Sequence, residues 1–170
     1  MNDEVLFEGA HLLFRRRRGW EYVEHRTAKE SVMVVALTDD GRLVLVDEIR
    51  PAVDARVICL PAGLVGDEEP EDRESAARRE LSEETGYETS RLELLGRGPG
   101  SAGMSSEIVN FYRARGVRLT GSPGDREKEE IRVHVVPPEE LTAWARDREA
   151  EGILIDPKVW AGLFLSRARP

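Results

Sequence analysis

Gly63-Leu64-Val65-Gly66-Asp67-Glu68-Glu69-Pro70-Glu71-Asp72-Arg73-Glu74-Ser75-Ala76-Ala77-Arg78-Arg79-Glu80-Leu81-Ser82-Glu83-Glu84-Thr85-Gly86-Tyr87 is the stretch that organises this chain. A glycine-bearing loop runs into an acidic helix start, and a second glycine ends the helix. Pro70 suits the first helical turn, where its missing N–H costs nothing. Ala76, Ala77 and Leu81 give an apolar stripe at helical spacing. Gly86 suits the left-handed position just past a helix end. Glu80 and Glu84 are four apart and lie one turn above each other on one face, with Glu83 at its border. Like charges at that spacing destabilise a helix, so three crowded carboxylates need a partner. A hard divalent cation such as Mg²⁺, which takes oxygen ligands and keeps several waters, is one such partner. The alternative is a solvated acidic face with Arg78 and Arg79 as counter-charges.

Working outward, the 170 residues fit a single domain, 1–170, with an adequate core. A net charge of −8 argues against a general nucleic-acid binder. Cys59 sits in the apolar run Val57-Ile58-Cys59-Leu60 and reads as a buried thiol; alone, it forms no disulfide within the chain. No apolar run reaches the ~20 residues of a membrane span. The acidic N-terminus lacks a signal-peptide pattern, so a cytoplasmic protein without a membrane partner is expected.

Residues 4–26 read as a hairpin: Val5 to Phe14 goes out, Arg15 to Gly19 turns, and Trp20 to Arg26 returns. The tetrad Arg15 to Arg18 reads as a solvated tip rather than a nucleic-acid patch. Trp20 and Tyr22, two apart, read as sharing one buried strand face. Ser31 to Leu37 is a β-branched run expected to be covered on both faces. Asp39-Asp40-Gly41 turns, Arg42 to Arg50 is a strand stopped by Pro51, and Val57 to Leu60 is the next. Strands follow at Arg91 to Gly96, Ile108 to Ala114 and Ile131 to Val136. Gly98, Gly100 and Gly103 match G-x-G-x-x-G, but that fingerprint must open a helix, and here a strand follows. A nucleophile elbow around Ser101 fails because Pro99 stands where its first glycine belongs. Glu139 to Glu149 reads as a helix. Asp156-Pro157 opens the last one, with Val159, Trp160, Leu163 and Phe164 as its apolar face. Mixed strands with inserted helices suit an α/β class, a mixed sheet between helices.

Arg79-Glu80-Leu81-Ser82-Glu83-Glu84-Thr85-Gly86-Tyr87 resembles the second half of the Nudix box, G-x5-E-x7-R-E-U-x-E-E-x-G-U with U apolar, at every fixed position. The first half departs from it. Counted from Gly63, Glu69 takes the first acidic slot; counted back from Arg79, Glu71 takes it and Val65 takes the glycine slot. A two-residue insertion before the helix reconciles both counts. Further matches resemble the ADP-ribose pyrophosphatase branch of that family. These are Asp47-Glu48-Ile49-Arg50-Pro51 for its E-Q-x-R-P strand end, Pro61-Ala62-Gly63 for its P-A-G turn, Ser101 to Glu107 for its S-P-G-x-x-x-E element, and Glu127-Lys128-Glu129-Glu130-Ile131 for its E-x-E-[DE]-I loop.

The resemblance implies a Nudix α/β/α sandwich with a mixed sheet and an N-terminal β-hairpin. It implies a Mg²⁺-dependent (or Mn²⁺-dependent) pyrophosphatase cleaving ADP-ribose, or a similar nucleoside diphosphate sugar, to AMP and a sugar phosphate. Glu80, Glu83, Glu84 and the Ala62 carbonyl would hold metal, and Arg79 would orient Glu83 or Glu84. Glu127, or else Glu129, would activate water. Arg50 would face the diphosphate; it reads equally as a strand-end residue paired with Glu48 or Asp47. Gly63, Ser101, Gly103, Met104 and Glu107 would contact substrate. The hairpin would pack on a second subunit in a homodimer, with Trp20, Tyr22 and Arg26 reaching its base or phosphate. Ala102 stands where the branch has proline, which leaves GDP-mannose and other sugar nucleotides open. A nucleotide-sensing module without catalysis is the alternative of another class.

Overall fold

The computed structural model describes residues 3–67, 69–121 and 131–168. They form, in order, β1 (Asp3–Glu8), β2 (Leu12–Arg17), β3 (Trp20–His25), β4 (Glu30–Thr38), β5 (Leu43–Arg50) and β6 (Ala55–Cys59). Then come β7 (Ala62–Leu64), α1 (Arg73–Thr85), β8 (Tyr87–Glu88), β9 (Leu92–Pro99) and β10 (Ile108–Leu119). β11 (Arg132–Val136), α2 (Leu141–Ala150), β12 (Leu154–Ile155) and α3 (Pro157–Ala168) complete it.

β4 is the axis of the larger sheet. Strand order runs β12-β6-β5-β4-β10-β8, with β7 also on β4, β11 on β5 and β9 on β10. The β4–β10 and β6–β12 pairs are parallel and β4–β5 is antiparallel, so the sheet is mixed. Because side chains alternate across a strand, Val32, Val34 and Ala36 point to one face, where they meet Ala76, Ala77 and Leu81 of α1. Met33 and Val35 point to the other and meet Leu141 of α2 and Val159 and Leu163 of α3. Two cores on opposite faces of one sheet make an α/β/α sandwich. The β-branched run 31–37 is covered on both sides, as its composition implies.

Three local expectations are corrected. The N-terminal segment is a three-stranded antiparallel sheet rather than a hairpin. One turn closes at Gly9, whose N–H donates to the Leu12 carbonyl at 2.8 Å. The other is Arg18-Gly19 alone, both at positive φ (54° and 82°), the tight turn that suits strand twist. Arg15 to Arg17 therefore lie in β2, where cross-strand carboxylates neutralise them. Arg15 pairs with Glu24 and Asp3, Arg16 with Glu21 at 2.7 Å, and Arg17 with Asp3 at 2.7 Å.

The box helix starts at Arg73, so Pro70 lies upstream of it. Asp72 is the cap: its carboxylate accepts the Ser75 N–H at 2.8 Å, satisfying an amide that has no intrahelical partner. At the other end Gly86 takes φ 73°, and its N–H closes on the Ser82 carbonyl at 2.8 Å. On α3 the expected four-residue apolar face divides. Val159 and Leu163 are buried, whereas Trp160 and Phe164 are exposed.

Candidate active site

The site is assembled where α1 crosses the short strand β7. Glu80 and Glu84 point from α1 into the fold, only 2% and 3% exposed. Glu84 Oε2 accepts the Ala62 N–H at 3.0 Å. The Glu80 carboxylate lies directly on Gly63: a Cβ there would stand 1.8 Å from Glu80 Oε1. Glycine is required at this position for close approach.

Arg79 ties the box together. Its guanidinium donates to Glu71 at 2.7 Å, to Glu80 at 2.8 Å, to Glu83 at 3.2 Å and to the Leu64 carbonyl at 3.2 Å. It orients Glu80 and Glu83. The Arg79 hydrogen bonds hold the Glu71 carboxyl below its ordinary value, and Glu71 in turn raises Arg79. This assigns the first acidic slot to Glu71, while Glu69 is exposed. Gly63 beneath Glu80 and Glu71 beside Arg79 both fit the box. The two extra residues lie in the loop between them.

A cleft of about 450 Å³ opens beside these carboxylates, lined among others by Arg50, Ala62, Gly63, Glu107, Asp156 and Lys158. Arg50 lines the cleft and pairs there with Glu48, the strand-end partner expected of it. Glu48 is 3% exposed, and Cys59 Sγ approaches it at 3.5 Å. Burial pushes the Cys59 thiol far up, which makes it an inert neutral group. Glu48, Asp156 and Lys158 were not singled out from sequence as site residues. The one available signal was an acidic pair, Asp47-Glu48, inside an apolar strand, since carboxylates are almost never fully buried unless partnered.

The remaining candidates gather elsewhere. Trp20 and Tyr22 line a second hollow of about 430 Å³ with Arg17, Arg18, Ala102, Ser105 and Ser106. The expected buried face holds for Tyr22, 8% exposed, but not for Trp20, 62% exposed. Trp20 Nε1 donates to the Gly103 carbonyl at 3.2 Å, and the Val23 N–H to the Met104 carbonyl at 2.8 Å. The Ser101 carbonyl accepts the Met104 and Ser105 amides at 3.0 and 2.9 Å, closing this loop on itself. Arg26 is held by Glu8 at 2.8 Å and the Gly9 carbonyl at 3.0 Å, away from both cavities. Glu127 and Glu129 lie outside the described residues.

Among the described residues no three His, Cys, Asp or Glu side chains converge as a formed metal cage. The donor set still fits a hard cation. Two buried carboxylates, a third at the border and a backbone carbonyl are all oxygen ligands, and the glycine cradle lets Glu80 settle against β7.

A family model for the NUDIX domain matches residues 27–154. The chain belongs to the Nudix family. Among its relatives, the methanol dehydrogenase activator of Bacillus methanolicus is 34% identical over 111 residues, 65% of this chain and 57% of that protein. The ADP-ribose pyrophosphatase of Mycobacterium tuberculosis is 35% identical over 127 residues, 75% of this chain and 57% of that protein. The chain thus spans a little over half the length of these relatives. A solved structure described as an ADP compounds hydrolase superposes with a TM-score of 0.73 at 22% identity, covering 99% of this chain and 91% of that one, which shows the Nudix fold. No helix among the described residues is long and apolar enough to cross a membrane.

Proposed function

We propose that this chain is a Mg²⁺-dependent diphosphatase that hydrolyses ADP-ribose, or a similar nucleoside diphosphate sugar, to AMP and a sugar phosphate. The observation that carries the reading is the buried Glu80–Glu84 pair on α1, set against Ala62 and Gly63, which line one cleft with Arg50 and Glu107. The names borne by the relatives support the substrate class.

Glu80, Glu83, Glu84 and the Ala62 carbonyl hold the divalent cation, Mg²⁺ or Mn²⁺. When bound, it supplies positive charge against the diphosphate and lowers the pKa of a coordinated water. Arg50 binds diphosphate oxygens through its planar fork. Arg79 fixes the Glu80 and Glu83 carboxylates for that work. Glu127, or else Glu129, takes the proton from the attacking water. The new P–O bond forms in line as the bridging P–O bond breaks. Glu107 lines the cleft just before β10 and contacts the substrate or its metal.

Trp20 and Tyr22, with Ser101, Gly103 and Met104 nearby, form the base side. Ala102 lines this second hollow in place of the branch's proline, which favours GDP-mannose or another sugar nucleotide as the second reading. The protein works as a cytoplasmic homodimer, with the N-terminal sheet against its partner. A coupled-phosphatase assay on ADP-ribose and GDP-mannose tests the proposal. Turnover should require Mg²⁺ and fall roughly 100-fold or more in Glu84→Gln. A folded protein that turns over none of these substrates would overturn it.

A further inference from the structure

A separate cavity lies at the opposite end of β10. It measures about 510 Å³ and is lined by Asp39, Glu88, Thr89, Ser90, Arg91, Arg115, Gly116, Arg118 and Thr120. Three arginines meeting in a chain of net charge −8 need a reason, and local structure supplies the means. β10 pairs with β4 in register until Arg115 and resumes at Val117, so Gly116 is the extra residue of a bulge. Its φ of +62° is the glycine conformation that such a bulge uses. In an unbroken strand Arg115 and Arg118, three apart, would point to opposite faces. The bulge cancels one alternation. Ala114 and Val117 accordingly share the α1-side core, and Arg115 and Arg118 share the other face.

The turn before β9 adds the third arginine. Thr89 Oγ1 donates to the Arg115 carbonyl at 3.1 Å, and the Arg115 N–H reaches the Arg91 carbonyl at 3.4 Å. These bonds tie Arg91 to the bulge. The charges do not cancel evenly. Arg118 pairs with Asp39 at 3.2 Å and stands opposite Glu88 in the β8–β10 register. Among the described residues, neither the Arg91 nor the Arg115 guanidinium forms an ion pair, which leaves two forked donors beside the Ser90 hydroxyl.

We propose that this cavity binds a small phosphorylated anion, gripped by Arg91 and Arg115, with the Ser90 hydroxyl adding a hydrogen bond. A guanidinium fork matches two phosphate oxygens at once. The site is separate from the cleft that carries the proposed hydrolysis. Ile108, where β10 leaves that cleft, is seven residues from Arg115, roughly 23 Å along the strand. The floor of the cavity touches the end of α1, because the Thr120 N–H donates to the Gly86 carbonyl at 3.0 Å.

The test is an NMR titration of the arginine side-chain Nε–H resonances with inorganic pyrophosphate, in EDTA and at constant ionic strength. Saturable shifts at Arg91 and Arg115 are expected. They should persist in Arg50→Ala, which alters only the other cleft. Arg115→Glu should raise the pyrophosphate concentration needed for a half-maximal shift at Arg91 by about tenfold or more, the size expected for losing a charged hydrogen-bond pair. Arg115→Lys, which keeps the charge without the fork, should fall between. Shifts that chloride reproduces at the same ionic strength, or that keep the same half-maximal concentration in Arg115→Glu, would overturn the assignment. So would the absence of any shift in the wild-type protein.

Discussion

Gly63 and Arg79 show how much of the site hangs on single residues. The Glu80 carboxylate occupies the space that any side chain at 63 would take, with Oε1 1.8 Å from an added Cβ. Gly63→Ala must therefore swing Glu80 away from β7, because the backbone strand has less freedom than a glutamate side chain. The expected outcome is a loss of roughly 100-fold in kcat, the scale of a 1 Å misplacement of a catalytic group, with the far-ultraviolet circular dichroism unchanged. Steady-state kinetics on ADP-ribose with saturating Mg²⁺ checks this, and wild-type kcat in the variant would refute it. The spacing of Glu80, Glu83 and Glu84 was legible in the sequence because a helix fixes which side chains are neighbours. The choice between Glu69 and Glu71 was not, because the two inserted residues fall in a loop with no fixed rise per residue. Only the side-chain contact from Arg79 to Glu71 decides it.

At the scale of elements, α1 depends on its two ends. Sequence placed the C-terminal one correctly, since Gly86 adopts the left-handed conformation that a side chain penalises. The N-terminal one was displaced by Pro70, a first-turn residue by propensity. The local hydrogen bond that the Asp72 carboxylate accepts from the Ser75 N–H won instead. Asp72→Ala should cost about 1 kcal/mol of unfolding free energy, read as a lower urea midpoint with an unchanged m-value. Glu30 joins three further elements: it accepts from Arg73 on α1, Arg97 on β9 at 3.2 Å and Asn110 on β10 at 3.2 Å. The Arg73 hydrogen bond, opposed by partial burial, holds the Glu30 carboxyl below its ordinary 4.5. A carboxyl depressed in the folded state stabilises above its unfolded pKa. That contribution is lost as pH falls from 4.5 through the folded value. Glu30→Gln should thus lower the urea midpoint at neutral pH and flatten its decline below pH 4.5. A parallel decline in both proteins would remove Glu30 as a source of the acid sensitivity.

At the scale of the whole molecule, the two-sided core was legible because a continuous β-branched strand has to be covered on both faces. The placement of the N-terminal sheet was not. Its β3 joins the chain's own 101–106 loop through the Val23 and Met104 bond and the Val23–Ser105 bridge, contacts of long sequence separation that no local pattern announces. That docking leaves the far strands of the small sheet uncovered. Phe7 is 67% exposed, Leu12 47% and Phe14 38%, and Phe7 and Phe14 stand directly opposite in the β1–β2 pair. A contiguous aromatic face of this kind is costly in water and marks an interaction surface. The proposed homodimer would use it, bringing one chain's small sheet against the other. Light scattering at micromolar concentration should then give twice the chain mass, and Phe7→Glu should halve it by placing a charge in the apolar contact. If the sheet also completes the partner's base pocket, Phe7→Glu should raise KM for ADP-ribose much more than it lowers kcat. The reason is that the metal helix and the β7 cradle lie within one chain. A wild-type protein of single-chain mass would remove the dimer, while leaving Trp20 and Tyr22 to act on the hollow they line in their own chain.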